Sequence, residues 1–213
     1  MEQKSLVVGA LKTNCYLVWD KKNLEALIID PGDAPVYLAE QIQACELKPK
    51  AIIATHGHFD HVLAVWALQK IFKIPFLIHC EDQFILDYMQ KSARFWLKIK
   101  NEPLPPPPTP DRFLKAQQQI KFGTSYLEIM STPGHTPGSI CLYNKKRGVL
   151  FSGDTLFAQG WGRTDLPGGS EIKLKSSLRR LLRLPPQTKV LPGHEQETTI
   201  LEAGKFSKFS GYL

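Results

Sequence analysis

The chain has 213 residues, 43% hydrophobic and 22% charged, which suits one large domain or two small ones with a packed core and argues against disorder. No stretch approaches the ~20 apolar residues of a membrane span, and Met1-Glu2-Gln3-Lys4 leads into too short an apolar run for a signal peptide. The net charge is +7 from 27 basic and 20 acidic residues, but no basic stripe with interleaved aromatics exists, which speaks against a nucleic-acid partner.

Residues 5–30 alternate in short β-rich runs, Leu6–Val8, Tyr16–Trp19 and Ala26–Ile29. Turn signals at Lys12-Thr13-Asn14 and Asp20 to Asn23 separate them, and Asp30-Pro31-Gly32-Asp33 closes the third. Val36, Leu38, Ala39, Ile42 and Cys45 predict a helix over 35–46. Ala51–Ala54 has the length of a buried strand. Residues 61–72 return to the helical period, Phe76–Ile78 is a strand, and 81–99 is helix-rich. The proline run from Pro103 to Pro110 reads as a stiff internal connection, because strand-like sequence resumes after it. Four strands are predicted over 118–151, then a helix near 171–182 and a strand at Lys189–Leu191. Lys173, Lys175, Arg179, Arg180 and Arg183, on one predicted helix, read as a solvated basic face. The second half repeats the first in outline, which predicts two β/α halves packed sheet on sheet with helices outside.

Chemistry concentrates in punctuated loops. The run Thr55-His56-Gly57-His58-Phe59-Asp60-His61 packs three imidazoles and a carboxylate into six positions after an apolar strand. Such donors suit Zn²⁺, Fe²⁺ or Mn²⁺. His56 and His58, two apart at a strand end, point the same way, while Asp60 and His61 open a helix whose N-terminal dipole favours a carboxylate. His135 in Pro133-Gly134-His135-Thr136-Pro137-Gly138 and His194 in Pro192-Gly193-His194 sit in similar loops, as does Asp154 in Gly153-Asp154-Thr155. His79 stands outside the pattern and reads as structural.

These motifs, in this order, resemble the metallo-β-lactamase superfamily. Thr132 to Ser139, Gly162-Arg163-Thr164-Asp165-Leu166-Pro167-Gly168-Gly169 and Pro192-Gly193-His194 with Thr198-Thr199-Ile200 resemble, more closely, the short hydroxyacylglutathione hydrolase (glyoxalase II)-like proteins. The resemblance implies an α+β fold, a four-layer αββα sandwich, as one domain over 1–213. It implies two divalent ions, zinc first with iron or manganese as alternatives: His56, His58 and His135 on one, Asp60, His61 and His194 on the other, and Asp154 between. A hydroxide shared by the ions would attack a thioester carbonyl, with Asp60 orienting it or taking its proton. Arg163 would contact the glutathione part of S-lactoylglutathione or a related acyl-thiol, or else pair with Asp165. Thr55 and Ser139 would support the ligands.

The departures are as informative. Only 19 residues follow His194, so the helical glutathione-binding domain of full-length glyoxalase II is absent from the expectation. Glu195 replaces the family's usual glycine, and Gly204 to Lys208 replaces the usual ending. A mononuclear iron persulfide dioxygenase on His56, His135 and Asp154, or a lactonase, are the alternatives. A β-lactamase proper is disfavoured by His61, and an RNA-processing nuclease by the lack of RNA-gripping segments. Cys15, Cys45, Cys80 and Cys141 form no C-x-x-C pair and read as reduced thiols, which predicts a cytoplasmic protein; the resemblance implies a small-molecule acyl-thiol substrate, and the lack of a long apolar run predicts no membrane partner. The oligomeric state is left open.

Overall fold

The structure is a computed structural model that describes residues 1–205. Its first sheet has the order β1 (Glu2–Val8), β2 (Thr13–Trp19), β3 (Glu25–Ile29), β4 (Lys48–Ile53), β5 (Phe76–His79) and β6 (Arg112–Leu114). The first three strands are antiparallel hairpin neighbours, and β3 through β6 run parallel. The second sheet contains β7 (Gln119–Phe122), β8 (Ser125–Ser131), β9 (Ile140–Asn144), β10 (Val149–Gly153), β11 (Lys189–Pro192) and β12 (Thr198–Thr199), again in sequence order from one edge to the other. Parallel pairing of β3–β4 and β10–β11 requires crossovers. Helices α1 (Pro35–Ala44) and α6 (Glu171–Leu181) lie within them. The remaining helices are α2 (Phe59–Val62), α3 (Val65–Phe72), α4 (Gln83–Asp87), α5 (Met89–Leu97) and α7 (Ile200–Lys205).

Period-two alternation in apolar strands builds the layers. Tyr16 and Val18 of β2, with Leu27 and Ile29 of β3, enter a cluster between the sheets with Ile140, Leu142 and Phe151. Their neighbours Cys15, Leu17, Ala26 and Ile28 point the other way, onto Leu38 and Ile42 of α1 and Leu68 of α3. In the second sheet Cys141, Tyr143 and Leu150 turn outward onto Leu174, Leu178 and Leu181 of α6 and Ile200 of α7. Three buried clusters thus fill the gaps of a four-layer αββα sandwich, and strands buried on both faces read as continuous apolar runs.

The predicted strands and the helices over 35–46 and 171–182 lie where the sequence puts them, with two differences. The helix predicted over 61–72 is two helices, α2 and α3, with Leu63 and Ala64 between them. Ala64 N–H donates to Pro31 O, so the turn is tied to the loop after β3. Strands β6 and β12 and helix α7 were not predicted, being two to six residues long. The proline run connects α5 to β6 without regular structure. Gly204 and Lys205 end α7 and its helix, and the rest of the divergent ending lies outside the described residues. All four cysteines are unpaired, and no helix among the described residues is long and apolar enough to cross a membrane.

Candidate metal centre

Every candidate ligand follows the end of a strand. His56 comes three residues after β4, and His58 occupies the position that starts α2, which carries Asp60 and His61. His135 follows β8, Asp154 follows β10 directly, and His194 follows β11. The sandwich therefore brings loops of both sheets to one edge. There His56, His58 and His135 form one group of converging donor atoms, and Asp60, His61 and His194 a second, all within 4.8 Å of one another in each group. Asp154 stands between: Oδ1 is 3.5 Å from His61 Nε2, and Oδ2 is 3.6 Å from both His135 Nε2 and His194 Nε2. The seven residues singled out in the sequence are brought together.

The outer hydrogen bonds fix which ring nitrogen faces inward. His135 Nδ1 donates to Arg163 O at 2.7 Å, and His194 Nδ1 to Leu11 O at 3.1 Å, leaving each Nε2 lone pair on the site. Thr55 Oγ1 gives its one proton to Asp30 Oδ2 at 2.7 Å, so at 3.2 Å it can only accept from His56 Nδ1. His61 Nδ1 lies 3.1 Å from Asp30 Oδ2, at ion-pair distance but off the hydrogen-bond line. His56 Nε2 and Asp154 Oδ1 are buried without any hydrogen-bond partner among the described residues. Orphaned buried acceptors are costly, and His58 Nδ1 stands 2.9 Å from His135 Nε2, so the two ring nitrogens face one another across the site. That donor set fits divalent cations: imidazole nitrogens and carboxylate oxygens aimed at two shared points.

The electrostatics agree. Burial, then the neighbouring rings of His61 and His135, pushes His56 well down, and burial with His135 lowers His58 to about 3, so both are neutral ligands. Burial opposes a proton on His61, but Asp154, Asp60 and Asp30 outweigh it and raise its pKa to about 10. Burial likewise opposes charge on Asp60, and His61 with His194 overcomes it, holding the carboxyl well below its usual range. A carboxylate cluster that attracts a proton this strongly is also suited to attract a metal ion.

Sequence reasoning missed the residues that hold the ligands. Asp30 was read as turn chemistry, yet it is 1% exposed and also accepts from Thr55 N–H at 2.7 Å. Asp82, fully buried after β5, accepts from Gly57 N–H (2.8 Å), Gly138 N–H (2.7 Å) and Thr136 Oγ1 (2.8 Å), clamping the His56–His58 loop to the His135 loop. In sequence each is only a carboxylate soon after an apolar strand, one residue past β3 for Asp30 and three past β5 for Asp82. Ser139 supports Thr136 rather than a ligand, at 3.0 Å from its N–H and 2.7 Å from its hydroxyl. His79 accepts from Glu81 N–H and caps the short turn that carries Asp82.

A cavity of about 720 Å³ opens onto the centre, with His58, Asp60, His135, Asp154 and His194 in its lining. Arg163 also lines it, but its Nε and Nη2 donate to Asp165 Oδ1 and Oδ2 at 2.7 and 2.6 Å. Glu195 has φ +67° and an exposed side chain, while its carbonyl accepts from Asn14 Nδ2 at 2.9 Å.

A family profile described as the metallo-beta-lactamase superfamily matches residues 8–194. The chain is similar to the hydroxyacylglutathione hydrolase GloC of Haemophilus influenzae, 36% identical over 213 residues and covering 98% of each chain. Among solved structures it is similar to the BLEG-1 B3 metallo-beta-lactamase, with a TM-score of 0.89 and 35% identity over 99% of this chain and 100% of that one. It is also similar to TTHA1623 in a di-iron-bound form, with a TM-score of 0.88 and 37% identity over 97% and 99%.

Proposed function

Since the chain belongs to the metallo-β-lactamase superfamily, we propose that it is a metal-dependent hydrolase of thioesters, of the kind that S-lactoylglutathione and related acyl-thiols represent. The observation that carries this reading is the pair of converging donor groups joined by Asp154 on the wall of one cavity. His56, His58 and His135 would hold one ion, Asp60, His61 and His194 the other, and Asp154 would touch both. Two divalent cations there would supply positive charge to polarise the carbonyl and to make water acidic enough to attack near neutral pH.

The chain's own groups do the rest. Asp60 Oδ2, 3.3 Å from His194 Nε2 and steadied by Thr13 Oγ1 at 3.3 Å, is placed to accept a hydrogen bond from the attacking water and orient it. The water oxygen bonds to the acyl carbon, the C–S bond breaks, and the sulfur leaves as thiolate that regains a proton. The products are a carboxylic acid and a thiol. GloC, at 36% identity, supports the thioester class, and the di-iron-bound TTHA1623 supports two ions while leaving the choice of metal to experiment.

Elemental analysis beside a thioester hydrolysis assay tests the reading. We expect about two metal ions per chain, and Asp154→Ala should lose metal and activity together, because one carboxylate serves both groups. A fully metallated, fully active Asp154→Ala variant would refute the two-ion centre. One iron per chain with sulfur oxidation and no thioesterase activity would instead favour a mononuclear dioxygenase. A second reading, hydrolysis of a β-lactam amide, draws on the similarity to BLEG-1; turnover of a chromogenic cephalosporin faster than any thioester would place it first.

A further inference from the structure

One wall of the cavity is apolar in a way that metal chemistry does not require. Phe84 of α4, Tyr88 at the junction, and Ser92 and Trp96 of α5 recur at intervals of four, the helical bonding running on through Tyr88, and all four line the cavity. Side chains at that spacing share one helical face. Ile85, Leu86, Met89 and Ala93 take the buried side of the same helices. Phe84, Tyr88 and Trp96 are left 40%, 60% and 41% exposed. Leu11, Phe59, Leu166, Pro167 and an edge of Ile85 add to the apolar lining. Large aromatic side chains gathered in the open beside a candidate catalytic centre mark a ligand surface.

Charge at the wall points the same way. Arg163 is the only lysine or arginine among the described lining residues. Its guanidinium is forked onto Asp165 and lies 5.4 Å from the centroid of the Trp96 ring. An anionic substrate arm would have to displace Asp165, whereas an apolar arm meets Trp96 with the arginine already neutralised. Lys91 lies 5.0 Å from the centroid of the Tyr88 ring and is absent from the lining.

We propose that this hydrolase selects thioesters carrying an apolar arm, a medium-length aliphatic or aryl acyl group, laid along Phe84, Tyr88 and Trp96. The proposal rests on the hydrolase reading and names its substrate class. A cavity of about 720 Å³ has the volume to hold such a chain.

Two measurements separate the proposal from the reading beneath it. In the first, the metal-free chain is titrated with the neutral fluorescent probe N-phenyl-1-naphthylamine. Saturable binding is expected, weakened about ten-fold in Tyr88→Ala/Trp96→Ala, with Trp96→Phe restoring most of it and circular dichroism confirming each fold. In the second, the metal-loaded chain is offered acetyl, butanoyl and octanoyl thioesters of N-acetylcysteamine, and S-lactoylglutathione. We expect kcat/KM to rise at least ten-fold from acetyl to octanoyl, since burying one methylene is worth about four-fold. The double variant should lose at least five-fold more on octanoyl than on acetyl. No probe binding, a flat chain-length series, or equal losses across it would overturn the proposal. If no thioester is turned over, the hydrolase reading fails, and probe binding alone then decides whether the wall is an apolar ligand surface.

Discussion

Gly193 shows how tightly single residues are fitted around the centre. A Cβ added there would run into Asp154 Oδ1 and lie 2.7 Å from His61 Cε1. Gly193→Ala should therefore displace two candidate ligands at once. We expect a loss of metal affinity and of kcat/KM of about 10- to 100-fold with the fold retained, checked by metal titration and circular dichroism. Glu195, two residues on, carries the opposite lesson. Its φ of +67° lies where a side chain is strained and glycine is not. Because the side chain is exposed and the backbone contact to Asn14 survives substitution, Glu195→Gly should raise stability by about 0.5–1 kcal/mol, read as a shifted urea midpoint. The histidines and Asp154 were legible in the sequence because ligand chemistry restricts residue type. Asp30 and Asp82 were not, because a buried carboxylate that orients a ring looks in sequence like any turn aspartate.

Elements are joined at the edge of the sandwich by two such carboxylates. Asp82 ties the loop after β4 to the loop after β8 through three donors. Burial raises its pKa, and the hydrogen bonds from Thr136, Gly138 and Gly57 act against that rise. Asp82→Ala would strand all three donors, so we expect a loss of about 3–5 kcal/mol in urea unfolding, with Asp82→Asn costing less. Asp20, at the end of β2, clamps the first sheet to the β7–β8 hairpin by accepting from Thr124 N–H, Thr124 Oγ1 and Ser125 Oγ. The Thr124 hydroxyl foremost, then Lys22 N–H, holds its pKa well below the usual range. A depressed carboxylate stabilises the fold above its unfolded pKa and loses that contribution as the pH falls. Stability should thus decline below about pH 4, and Asp20→Asn should flatten that acid limb. An equal limb in the variant would remove Asp20 from the account. The strands were legible because both sheet faces are buried and alternate residues feed separate clusters. The break between α2 and α3 was not, since Leu63 and Ala64 keep the helical period while the turn is held from outside, by Pro31 O.

At the scale of the whole molecule, the candidate centre gathers loops of both sheets, separated by up to 138 positions between His56 and His194, onto shared points. That convergence was only partly visible beforehand: the motifs gave the donors, but it takes the sandwich to bring His135, Asp154 and His194 to the edge where β4 ends. The apolar stripe of Phe84, Tyr88 and Trp96 was hidden for the same reason, because in sequence it is an ordinary helix face. Binding that recruits seven side chains from four loops favours the folded chain over the unfolded one. An ion present at about one hundred times its dissociation constant adds about 2.7 kcal/mol, which for a chain of this size corresponds to about 5–10 °C in Tm. Chelation should lower Tm by that amount, and zinc, iron or manganese should restore it. Because imidazoles ligate in neutral form and the surrounding carboxylates hold a proton on His61 up to about pH 10, the increment should grow as the pH rises toward that value. In Asp154→Ala the increment should collapse, because one carboxylate serves both donor groups. A chelated chain that melts where the loaded one does would mean that these donors hold no ion tightly, and the hydrolase reading would fall with them.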